Sequence, residues 1–198
     1  LRSRKGSVYI KGTNEKFKIS RSKFSNFLDC KRCFYLERVK GLKDPGMPGW
    51  SLNSAVDELL KKEFDKLRKQ KKPHPYVVKN NLKFIPYEHE KMDHWRNALR
   101  GGISFLDKNT NIEIHGGVDD IWFDTKNNSL IIADYKSQAN EKEVTQETYW
   151  DGDFKTGYQR QLDFYFYLLK QQNLKETISN DAYLLVVNAR GLEDKFDN

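Results

Sequence analysis

The sequence predicts an α/β layer architecture. Three observations carry it. The first hundred residues hold apolar positions at helical spacing. Two short segments rich in β-branched and aromatic residues then flank a polar turn, and a helix and a final strand follow. The 198 residues suffice for one domain with a sizeable core. With no repeat and no low-complexity tract, residues 1–198 read as a single domain, mainly helical over 1–106 and carrying a sheet and a buried helix over 107–198.

Val8-Tyr9-Ile10 alternates like a strand inside a polar, basic start. Ser20 or Ser22 suits the cap of a helix through Phe24, Phe27, Leu28, Phe34, Tyr35 and Leu36, stopped at Gly41. Proline and glycine make Lys43 to Gly49 a connector. A second helix fits Ser51 to about Lys71, with Leu52, Val56, Leu59, Leu60, Phe64 and Leu67 on one side and a basic opposite side. Pro73 and Pro75 end it, and a third helix fits Glu88 to Leu106 with a break at Gly101-Gly102. Ile112 to Phe123 and Leu130 to Lys136 read as strands around the turn Thr125 to Asn128. A helix from about Thr156 to Gln172, apolar around most of its circumference, precedes a strand from Ala182 to Val187.

A net charge of +7 and a pI near 9.2 suit a polyanionic partner, though a lysine-rich proteome produces the same balance. No apolar run approaches the roughly 20 residues that span a bilayer, so no membrane partner is expected. Without a signal-peptide pattern the default setting is cytoplasmic. Cys30 and Cys33 are too few for a disulfide framework and read as buried, inert thiols.

The chemistry concentrates in the two central strands. Asp134 and Lys136 are two apart, so their side chains share one face of a strand. Asp119 lies in the partner strand. If Asp124 opposes Ser129, Asp119 falls opposite Asp134; if Lys126 opposes Ser129, it falls opposite Lys136. Any even-length loop therefore gathers the three on one side unless a bulge intervenes. Neighbouring carboxylates among Val, Ile and Trp repel one another and resist burial, and a hard divalent cation such as Mg²⁺ or Mn²⁺ removes both problems. A buried Asp–Lys ion pair, with Asp119 merely ending a strand, is the competing reading of the same residues.

Gly116-Gly117-Val118-Asp119-Asp120-Ile121, then Ile132-Ala133-Asp134-Tyr135-Lys136-Ser137, then Gln161-Leu162-Asp163-Phe164-Tyr165 resemble the ordered motifs of the RecB-type branch of the PD-(D/E)XK nucleases. Ser20-Arg21-Ser22 and Cys30-Lys31-Arg32-Cys33-Phe34-Tyr35-Leu36 are similar to that branch's N-terminal signature, so the likeness runs from Ile19 to Val187. The resemblance implies a restriction-endonuclease-like core, a central mixed β-sheet flanked by α-helices, behind an N-terminal helical region. It implies that Asp119, Asp134 and the Tyr135 carbonyl bind Mg²⁺ or Mn²⁺, that Lys136 positions the attacking water, and that Gln161 and Tyr165 approach the site and the DNA backbone. Ordinary helix packing is the competing reading for Gln161 and Tyr165.

Two positions depart from the family pattern. Asp57 stands where many relatives carry a histidine for an additional metal ion, and it is expected to serve as a substitute ligand. A solvent-facing aspartate on a charged helix is the alternative. Some relatives hold an iron–sulfur cluster with cysteines on both sides of the core; no cysteine follows Cys33, so no cluster is expected. Lys61, Lys62, Lys66, Arg68, Lys69, Lys71 and Lys72 form a basic face, either solvated or tracking phosphates. Glu147 to Lys155 reads as an aromatic loop near the site, stacking on bases or covering the core. The expected function is a metal-dependent deoxyribonuclease, an exonuclease on DNA ends or single strands, with a helicase or other DNA-processing protein as a possible partner. The alternative is a weakened nucleic-acid-binding module on the same scaffold.

Overall fold

In the computed structural model, residues 7–42, 51–140, 142, 144–150 and 155–188 are described, with the side chains of residues 51 and 52 left aside. The connector expected from Lys43 to Gly49 and residues 151–154 of the expected aromatic loop lie outside them. In chain order the elements are β1 (Phe17–Ser20), α1 (Arg21–Asp29), α2 (Lys31–Arg38), α3 (Ser51–Gln70), α4 (Pro75–Lys79), β2 (Phe84–Pro86) and α5 (Met92–Arg96). A 3-10 turn at Ala98–Arg100 leads to β3 (Ile103–Asp107), β4 (Ile112–Gly116), β5 (Asp120–Asp124), β6 (Ser129–Gln138), α6 (Gln146–Trp150), α7 (Lys155–Lys170) and β7 (Thr177–Asn188).

The strands form two mixed sheets, ordered β1-β4-β3 and β2-β5-β6-β7, with helices packed on them. In the larger sheet β6 runs antiparallel to β5 and parallel to β7. Alternation along β6 builds two cores. Leu130 and Ile132 face Leu162, Leu168 and Leu169 of α7. Ile131, Ala133 and Tyr135 face the opposite side, where Phe64 of α3 stacks on Trp122 of β5 at 5.3 Å. Each large apolar side chain buried this way contributes about 1.5–3 kcal/mol.

Several expectations are corrected. Val8 to Ile10 forms no strand; Tyr9 instead packs edge-on against Phe17 at the start of β1. The first helix is two helices, because Cys30 adopts an extended conformation that ends α1 and begins α2. Cys30 and Cys33 are neither free nor buried: a disulfide joins them, Cys30 is half-buried and Cys33 is exposed. The third helix shrinks to α5, since Gly101 and Gly102 take positive φ and the alternating Ile103-Ser104-Phe105 pairs as β3 with β4. The expected strand from Ile112 to Phe123 is cut at Gly117-Val118-Asp119, where the chain passes from the smaller sheet to the larger. Within the expected aromatic loop, residues 146–150 form α6. Helix α7 buries one face only, leaving Tyr167 exposed. On α3, Leu59 points outward at 64% exposure, whereas Arg68 is buried.

The crossing at Gly117 requires a residue without a side chain. A Cβ there would lie 2.8 Å from the Arg96 carbonyl oxygen and 2.9 Å from Ala98 Cβ. Gly117→Ala is expected to cost about 1–3 kcal/mol through overpacking. Denaturant unfolding measures it, and an unchanged midpoint would overturn it.

Candidate active site

The turn after β5 sets the register. Asp124 opposes Ser129, the first of the two registers allowed by sequence, and the ladder continues to Asp120 opposite Ala133. Asp124 stabilises the turn by accepting from the Lys126 and Asn127 backbone N–H groups at 2.8 and 3.2 Å. Asp119 lies one residue beyond the strand, not within it as expected. It still reaches the site, because its Oδ2 accepts from the Tyr135 backbone N–H at 2.9 Å.

Asp134 is the centre of the cluster, with 1% of its surface exposed. Its Oδ2 accepts from Lys136 Nζ, and its Oδ1 accepts from Gln161 Nε2 at 2.8 Å. The same Gln161 amide donates to the Tyr165 hydroxyl at 3.1 Å, while Gln161 Oε1 accepts from Lys136 at 3.5 Å. The one-turn spacing on α7 thus sets Tyr165 beside Gln161, and Gln161 in turn meets the carboxylate. Gly116 makes room for this: a Cβ there would sit 2.9 Å from Tyr165 Cε1.

Burial first, and the adjacent Asp119 charge second, raise the Asp134 carboxyl to about 7, with Lys136 opposing them. One ammonium group therefore does not fully offset the paired carboxylates. Burial also pushes the Tyr165 phenol up to about 12, against the charge of Arg21.

Lys61, Asp120 and Tyr158, given no individual role by the sequence, complete the surroundings. Lys61, expected on the basic outer face, turns inward and donates to Asp57 Oδ2 at 2.7 Å and to Asp119 Oδ1 at 3.3 Å. Burial works against its charge, yet the Asp119 and Asp57 carboxylates prevail and raise its pKa. Asp120, adjacent to Asp119 but pointing to the opposite face, is fully buried and pairs with Arg68 at 2.6 Å and Arg96 at 3.0 Å. It also accepts from the Tyr135 hydroxyl at 2.8 Å. Tyr158 offers its ring to Lys136 at 4.8 Å and stacks on Tyr149 behind it. The alternation of adjacent residues in extended chain is the local signal that could have separated Asp120 from Asp119. Nothing in the sequence singled out Lys61 from its neighbours.

Lys62, Lys66, Lys69, Lys71 and Lys72 remain exposed as expected, while Lys61 and Arg68 leave the basic face. Tyr149 is buried, stacked on Tyr158 with Lys155 over its ring. Among the described residues, no three His, Cys, Asp or Glu side chains converge in a metal-holding group. The donors at hand are two carboxylates, Asp119 and Asp134. Their chemistry fits a hard divalent cation, because two adjacent carboxylate oxygen donors, one of them buried, suit such an ion and it would relieve both the burial and the mutual repulsion that disfavour the ionised Asp134.

A family model described as the PD-(D/E)XK nuclease superfamily matches residues 46–195. The chain belongs to the PD-(D/E)XK nuclease superfamily, and its two mixed sheets with flanking helices agree with the restriction-endonuclease-like fold. Membership implies a nuclease acting on nucleic acid, in a superfamily that typically uses divalent metals such as Mg²⁺ or Mn²⁺. No curated protein and no solved structure gives a significant match. Among the described residues, no helix is long and apolar enough to cross a membrane.

Proposed function

We propose that this chain is a Mg²⁺- or Mn²⁺-dependent deoxyribonuclease of the RecB-type branch, an exonuclease acting on DNA ends or single strands as one domain over residues 1–198. The observation that carries the proposal is the buried Asp134 carboxylate held between Lys136 and Gln161, with Asp119 beside it. Asp119, Asp134 and the Tyr135 carbonyl would hold the ion, which when bound supplies Lewis-acid stabilisation of phosphate charge and acidifies a water. The proposed setting is cytoplasmic, and the proposed partner, besides DNA, is a helicase or another DNA-processing protein.

The chain's own groups supply the rest. Lys136 orients the attacking water and offsets negative charge on the phosphoryl oxygens in the transition state. Gln161 holds Asp134 through Oδ1 and accepts from Lys136, so one amide side chain sets the position of both. The Tyr165 hydroxyl accepts from Gln161, leaving its own proton for a phosphate oxygen. The exposed lysines of α3 attract the backbone without reading sequence.

The deciding assay incubates linear and circular, single- and double-stranded DNA with Mn²⁺ or Mg²⁺, beside the Asp134→Ala variant. Loss of nucleotides from linear DNA, with circular DNA spared, is the expected result. Binding without cleavage would establish the binding-module alternative, and cleavage of RNA alone would overturn the choice of DNA.

The raised Asp134 carboxyl adds a pH dependence. Below about 7 a proton occupies the group and the cation must displace it; above 7 the site is already ionised. Apparent Mn²⁺ affinity is expected to fall up to about tenfold per pH unit below that point and to level off above it. Calorimetric titration between about pH 6 and about pH 8 checks this, and a flat profile would contradict it.

A further inference from the structure

The Lys61 ammonium bridges two acidic side chains from different elements, and the bridge is built into the fold. Asp57 and Lys61 are one helical turn apart on α3, which fixes their 2.7 Å contact. Asp119 comes from the crossing between the sheets and meets the same ammonium at 3.3 Å. All three side chains are partly buried, at 21% exposure for Lys61, 34% for Asp57 and 22% for Asp119.

We infer that the Lys61 ammonium takes the place of a second divalent cation between Asp57 and Asp119, so that the centre holds one ion. The inference rests on the proposed metal-dependent reading of the same site. Charge balance supports it. When ionised, Asp57, Asp119 and Asp134 are opposed by Lys61 and Lys136, leaving one net negative charge. One divalent ion reverses this to one net positive charge, and a second would leave three in a partly buried space. A second ion would also have to expel Lys61 from both carboxylates, leaving an ammonium with its partners lost.

Asp57 keeps a donor in reserve. Its Oδ1 is buried and has no hydrogen-bond partner among the described residues. With Lys61 neutralised, Asp57 and Asp119 become two uncompensated carboxylates facing one gap, and Asp57 then serves as the metal ligand expected at this position. Lys61 thus decides between a one-ion and a two-ion centre.

The test is Mn²⁺ stoichiometry, counted by calorimetry and by paramagnetic resonance in the full chain without DNA. Wild type is expected to bind one ion. Lys61→Met, with Lys61→Gln as a second variant should the first not fold, is expected to bind two. Adding Asp57→Ala to either should restore one, and Lys61→Arg should keep one throughout. Two ions in wild type, or one in every folded Lys61 variant, would overturn the inference while leaving the metal-dependent reading intact. No ion in wild type would overturn that reading and the inference with it.

Discussion

Asp134→Ala is expected to abolish cleavage while leaving the chain folded. The carboxylate is 1% exposed and meets Lys136 and Gln161 directly. Its removal takes away a proposed metal donor and releases the two side chains it positions. The rate is expected to fall at least about a thousandfold, equivalent to about 4 kcal/mol of transition-state stabilisation.

Stability should move little, or upward. The folded-state pKa of Asp134 is raised above its unfolded value, so the folded protein binds the proton more tightly. Its stabilising contribution is present at low pH and is lost as pH rises through the window from the unfolded value to about 7. At neutral pH the ionised group therefore opposes folding, and alanine relieves that opposition. Lys136 retains the Tyr158 ring and Gln161 as partners. Parallel measurement of DNA cleavage with Mn²⁺ and of thermal unfolding without it separates the effects. Cleavage within about tenfold of wild type would sink the assignment of Asp134.

Asp120→Ala is expected to do the reverse, acting first on stability. Asp120 is wholly buried and meets Arg68, Arg96, the Tyr135 hydroxyl, the Ile121 N–H and the Trp122 indole. The side chains of Arg68 and Arg96 are 8% and 9% exposed, and without Asp120 their remaining carboxylate is Asp65. Removing one partner from a buried ionic network typically costs about 3–5 kcal/mol, because the opposite charges stay buried. Guanidinium unfolding should show that loss. Asp119→Ala, one residue earlier and 22% exposed, should change stability far less. A loss below about 1 kcal/mol for Asp120→Ala would show that the arginines find other partners.

These adjacent aspartates illustrate what local pattern can convey. Strand parity places Asp134 with Lys136 and turns Asp120 away from Asp119. The four-residue turn after Asp124 limits the register, and the one-turn spacing of Gln161 and Tyr165 puts them on one face of α7. All of these are short-range relations, encoded within a few residues.

Other features depend on distant parts of the chain. Ile103 to Asp107 has a spacing that suits a helix or a strand, and pairing with β4 decides for the strand. Lys61 and Arg68 look like their lysine neighbours until Asp119 and Asp120 approach from the sheet. At the strand break, Arg96 and Ala98 approach Gly117 so closely that no side chain fits there. The Cys30–Cys33 link accompanies a helix break that no glycine or proline marks.

By itself, then, the sequence indicated the α/β class, the helices α3 and α7, the central hairpin and the gathering of Asp119, Asp134 and Lys136 on one side, because periodicity and turn length are local properties. Gln161 and Tyr165 entered only through the family resemblance. The tertiary structure alone decided which charges are buried and what they meet: Asp120 with two arginines, and Lys61 between Asp57 and Asp119. A charged side chain's role follows from the dielectric and the partners around it, and those are supplied by elements remote in sequence.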